Sequence, residues 1–111
     1  MSESKQQWTP GPWTLTTVPT SVGICHKIGP FPPSLDGGKP RHACLYADYP
    51  SDSNPADQEL LANAKLIEAA PELVEALRRT LQLLTDMGAP EEPEDAEVLE
   101  AARAALAKAG A

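Results

Sequence analysis

The stretch "RHACLYADYPSDSNPADQELLANAKLI", residues 41–67, changes its period halfway along. In its first part Ala43, Leu45, Ala47 and Tyr49 alternate with His42, Cys44, Tyr46 and Asp48, the two-residue repeat of a strand. The polar "PSDSN" then ends the sheet pattern. Asn54 suits a helix N-cap, Pro55 the first helical position and Asp57 the first turn. Beyond it Leu60, Ala64 and Ile67 recur at helical spacing, flanked by Leu61 on one side and Leu66 on the other.

Upstream, the strand period continues. "WTLTTV", residues 13–18, sets Trp13, Leu15 and Thr17 against Thr14, Thr16 and Val18, with strand-favouring side chains throughout. "SVGICHKI", residues 21–28, puts Val22, Ile24, His26 and Ile28 on one face and Gly23, Cys25 and Lys27 on the other. Residues 29–40 carry four prolines and three glycines, a loop composition that is poor at holding a ladder. Downstream, Pro71 cannot continue the first helix and reads as the start of a second, with Leu73, Leu77, Leu81, Leu84 and Val74 on its apolar side and Gly88 as its stop. In that helix Glu75 precedes Arg78 and Arg79 by three and four residues, a favourable pairing. Residues 88–95 read as a linker and residues 96–109 as an alanine-rich third helix with Leu99, Ala102, Leu106 and Ala109 along one side, ended by Gly110. Three strands followed by helices predict an α+β fold, a small three-stranded antiparallel sheet with two or three helices packed on one face.

The chain has 111 residues, which suits one domain with turn 1–12, sheet 13–50, helix pair 54–87, linker 88–95 and C-terminal helix 96–109. The formal charge of -7 resides in the second half, where twelve acids face five bases, while residues 1–53 balance four against four. Such a surface repels polyanions, so direct nucleic-acid binding is not expected. No apolar run is long enough to span a membrane and the first residues lack the apolar stretch of a signal peptide, so a cytoplasmic protein with Cys25 and Cys44 as reduced thiols is expected, the alternative being a bridge between the two on paired strands in an oxidising setting.

Three blocks of the chain, "TPGPW" at residues 9–13, "ANAKLIEAAPELVEAL" at residues 62–77 and "ARAALAKAG" at residues 102–110, together resemble a widespread group of small phage and prophage proteins. That group pairs a TPGPW start with an ANA-LI-AAPELLEAL helix pair and an alanine-rich end. The resemblance implies a phage accessory protein in an infected bacterial host cell, from a pool that includes inhibitors of host defence. It supplies no catalytic residues.

Trp8 and Trp13 flank the Thr-Pro-Gly-Pro turn, with Pro10 and Gly11 at the central positions of a type II turn, and are expected to cap a sparse core or to offer an aromatic platform. Asn63 falls between Ile67 and Ala70 on the helical wheel, where a buried amide would need partners. Arg78 and Arg79 could hold an anionic small molecule. Cys25, His26, His42 and Cys44 do not have zinc spacing, and strand alternation puts His26 opposite Cys25, so no metal and no cofactor are expected. Glu91, Glu92, Glu94, Asp95, Glu97 and Glu100 could mimic phosphate spacing but suit a solvated linker and the negative start of a helix. No phosphate loop, nucleophile setting or acid pair is present, so no catalytic residue is assigned. The expected activity is stoichiometric occlusion of a host protein, of the kind used in counter-defence. The alternatives are sequestration of a nucleotide signal by an oligomer using Trp8, Trp13, Asn63, Arg78 and Arg79, nucleic-acid mimicry, or a minor structural role; self-association would use a sheet edge or the C-terminal helix.

Overall fold

In the computed structural model the strands are β1 (Thr14–Pro19), β2 (Gly23–Phe31) and β3 (Arg41–Asp48), followed by helices α1 (Pro55–Glu68), α2 (Ala70–Asp86) and α3 (Pro93–Lys108). The structure describes residues 8–33, 37–51, 53–88 and 92–111. Residues 1–7 of the N-terminal segment, 34–36 of the proline-rich loop and 89–91 of the linker, including Glu91 of the acidic series, lie outside the described residues. The fold is α+β, and the chain forms two compact units, Thr9–Pro71 and Glu72–Ala111 with Trp8.

The first unit is the sheet with α1. Strand order is β1-β2-β3, both pairs antiparallel. The register sets Leu15 opposite Ile28, Thr17 opposite His26 and Leu45 opposite His26, so one face carries Leu15, Thr17, Ile24, His26, Ile28, Ala43, Leu45 and Ala47. That is the face the alternation predicts, and α1 lies across all three strands. Ile28 on β2 and Ala64 on α1 are fully buried. Alanine at position 64 lets the helix backbone approach closely, and the branched Ile28 supplies the burial that alanine does not. Asn54 caps α1 as expected, its Oδ1 accepting from the Ala56 N–H at 3.0 Å.

β2 does not end at Ile28. It continues through Gly29 and Pro30 to Phe31, which pairs with Arg41 beyond an irregularity in the ladder. A bulge tolerates the missing proline donor, and Phe31 is anchored by an edge-to-face contact with Trp13 at 5.2 Å. Tyr49 leaves the strand at φ 45°, exposed to solvent, and so does not extend the inner face. Gly11 does not take the positive φ of a type II turn, and the Gly11–Pro12 peptide is cis. The turn is held instead by the Trp13 indole, whose Nε1–H donates to the Thr9 carbonyl at 2.9 Å. α3 starts at Pro93, earlier than residue 96, because the proline suits the first helical position and Glu94 and Asp95 suit its positive end.

The cysteines are not free thiols; Cys25 and Cys44 form a disulfide. Cys25 faces Tyr46 and Cys44 faces Lys27, so the two cysteines are diagonal neighbours on the face away from α1, with Cα atoms 5.9 Å apart. This separation is ordinary for a bridge. The bonded positions are 19 residues apart, so replacing both by serine is expected to cost about 3 kcal/mol by loop-closure entropy. Urea melts of the variant and of the oxidised and reduced wild-type chain check this, with the variant matching the reduced protein.

β1 is an edge strand, and its outward backbone needs cover. The Leu15 N–H donates to Glu68 Oε2 at 2.8 Å, across 53 residues of sequence. The carboxylate at the end of α1 therefore ties the helix to the sheet edge. Glu68→Ala is expected to destabilise the protein by about 1–2 kcal/mol, and Glu68→Gln, which retains an acceptor oxygen, by less. Thermal melts of the two variants measure the order.

Candidate functional site

The second unit carries the largest departure from a closed core. At 100° per residue, Val74, Leu81, Leu77, Leu84, Leu73, Met87 and Leu83 sweep about 180° of the α2 wheel. The side formed by Val74, Leu77 and Leu81 is half-buried. On the other side Leu73 is 52% exposed, Leu83 59%, Leu84 38% and Met87, just past the helix end, 72%. Val98 on α3 is also exposed, whereas Leu99 is buried. Single exposed leucines are normal on a soluble protein, but four large apolar side chains on one side of a helix are not.

Polar groups border this surface. Arg79, Thr80, Gln82, Leu83 and Asp86 line a groove of about 470 Å³, and Gln82 donates to Asp86 at 2.8 Å. Residues 72–111 hold nine acids and four bases, so the surroundings of the apolar side are acidic. Leu83 and Met87 are absent from the face read from sequence because they fall outside the stripe of Leu73, Leu77, Leu81 and Leu84. Their own four-residue spacing is the signal that points to them.

Trp13 belongs to the sheet unit, with the partners described above. Trp8 belongs to the helical unit and lies beside Gly110, where an added Cβ would stand 3.7 Å from the indole Cδ1. Asn63 is exposed, not within a buried arc. The buried arc of α1 centres on Ala64, with Leu60, Leu61, Ile67 and Glu68 beside it, and Asn63 stands about 100° from that centre. Leu66, 63% exposed, lies on the far side and does not broaden the stripe. Arg78 pairs with Glu75 at 3.1 Å on the surface, the spacing expected of them, which offsets its charge for an anion. Arg79 lies in the groove with Asp86. Trp13 and Asn63 thus belong to one unit and Trp8, Arg78 and Arg79 to the other.

His26 and Cys25 point to opposite faces of β2, as the alternation requires, and Cys25 is held in the disulfide. Among the described residues no three His, Cys, Asp or Glu side chains gather as metal ligands. His26 is 3% exposed, and its Nδ1 lies 2.8 Å from Thr17 Oγ1 on the adjacent strand. It also lines a cleft of about 400 Å³ between the sheet and the first turns of α1. Among the described residues no helix is long and apolar enough to cross a membrane.

These features define a small α+β protein with an incompletely covered, acid-bordered apolar helix. The chain belongs to the family described as Salmonella phage P22 protein Y8K6, whose model matches residues 1–111. It is therefore a phage-associated protein. No curated protein and no solved structure is a significant match to the chain.

Proposed function

We propose that the chain is a non-enzymatic phage accessory protein that binds a host protein in fixed stoichiometry and occludes it, a mode suited to counter-defence. The observation that carries this reading is the exposed side of α2, where Leu73, Leu83, Leu84 and Met87 present apolar surface within an acidic unit. Burial of such side chains at the centre of an interface supplies affinity, and the surrounding acids favour a partner whose own apolar patch is bordered by lysine and arginine. Occlusion needs no catalytic group and only one complementary surface, which a chain of 111 residues can provide.

The experiment is affinity capture from host extract, identification of the captured protein by mass spectrometry, and reconstitution of the complex from pure components. The reading expects a complex of defined stoichiometry and a melting temperature that rises with the partner and stays constant with cyclic nucleotides. A rise with a cyclic nucleotide, with no reconstituted protein complex, would replace occlusion by sequestration.

A further inference from the structure

The sheet unit contains a second recessed feature, independent of the exposed side of α2. The strand alternation that turns Ile24 and Ile28 toward α1 also turns His26 inward. A buried imidazole must have partners for its ring nitrogens or border a space that holds one. Thr17, directly opposite on β1, engages Nδ1 at 2.8 Å. Nε2 is the ring nitrogen that Thr17 does not engage, and His26 lines the cleft. The cleft, about 400 Å³, lies within the size range of small-molecule sites.

Its walls define the chemistry of an occupant. Ile24, Leu61 and Pro50 supply apolar surface, and Asp57 supplies a carboxylate. Asp57 Oδ2 accepts the Ser51 N–H at 2.8 Å, which holds the carboxylate at the cleft wall by one oxygen. No lysine or arginine is among the described lining residues. The amino end of α1 contributes a positive end equivalent to roughly half a charge, less than the full negative charge of Asp57, so the local balance favours a cation over an anion. In the tautomer whose proton sits on Nδ1 and is donated to Thr17 Oγ1, Nε2 presents a lone pair, and a primary ammonium has hydrogens for both acceptors.

We infer that the cleft between β2 and the first turns of α1 is a binding site for a small organic ammonium, an apolar body carrying one primary amine, held by Asp57 and His26 Nε2. The charged hydrogen bond to Asp57 sets the preference for a cation, and Ile24 and Leu61 hold the apolar body. The site belongs to the sheet unit and is read separately from the α2 surface.

The test is NMR titration of the isotope-labelled full chain with benzylamine, benzyl alcohol and benzoate. Benzylamine is expected to give saturable shifts of the Ile24 and Leu61 methyls and to move the His26 ring nitrogens toward the pattern of an Nδ1–H tautomer. Benzyl alcohol should bind at least tenfold more weakly, and benzoate should leave these signals in place. Asp57→Asn, which keeps an acceptor for Ser51, should lose affinity at least tenfold, and Leu61→Trp should block the cleft. Equal responses to benzylamine and benzoate, or non-saturating shifts with benzylamine, would overturn the site. Retention of affinity in Asp57→Asn would do the same, and if that variant fails to fold the three-ligand comparison on the wild-type chain decides.

Discussion

Ile28→Ala is expected to lower the unfolding free energy by about 2–5 kcal/mol, the range for removing a large buried aliphatic side chain. Ile28 is the largest fully buried side chain among the described residues. It sits in the central strand, opposite Leu15 on β1 and Ala43 on β3, on the face covered by α1. Ala43, its partner on β3, is already small and offers little to refill the space. The cavity term therefore adds to the lost transfer energy, placing the effect toward the upper end. For a domain of this size each 1 kcal/mol corresponds to about 4–8 °C in melting temperature, so a calorimetric or circular-dichroism melt reads it directly. Ile28→Val, which removes one methylene, is expected to cost about 0.5–1.5 kcal/mol in the same assay.

The second large effect concerns binding. Leu83→Asp combined with Met87→Asp puts two charges on side chains that are exposed in the free protein. Folding stability should change by no more than about 0.5 kcal/mol for each substitution, as is usual on an exposed surface. Affinity for the host partner should fall much further. A central interface side chain contributes on the order of 2 kcal/mol or more, so the pair is expected to weaken binding by about a hundredfold or greater. The contrast between unchanged melting and lost affinity is what separates a contact surface from a core.

Much of the scaffold was legible in residues 41–67 and their flanks because it rests on periodicity and on caps. The inner face of β2, the Asn54 cap, the restart at Pro71 and the stop at Gly110, which takes φ 79°, all follow from local rules. What local rules did not reach depends on contacts across the chain. Nothing in the local pattern marks Glu68, whose role at the β1 edge needs the helix laid over the sheet. Asn63 falls between Ile67 and Ala70 on the wheel, but packing centres the buried arc on Ala64 and leaves Asn63 exposed. Phe31 reads as part of a proline-rich loop until Trp13 is seen against it, and that contact coincides with the extension of β2 past a proline. The cysteine bridge needed the β2–β3 register, which no strand period fixes by itself. The wide apolar side of α2 was visible only in part, since the expected stripe stopped short of Leu83 and Met87.

The proposal that this phage protein acts through the open side of α2 is tested most directly by isothermal titration of the captured host protein with the wild-type chain and with the Leu83→Asp, Met87→Asp variant, at matched melting temperatures. The predicted result is a fixed-stoichiometry complex with the wild-type chain and affinity reduced by about a hundredfold in the variant. Equal affinity for the two would contradict it and move the binding surface elsewhere on the molecule.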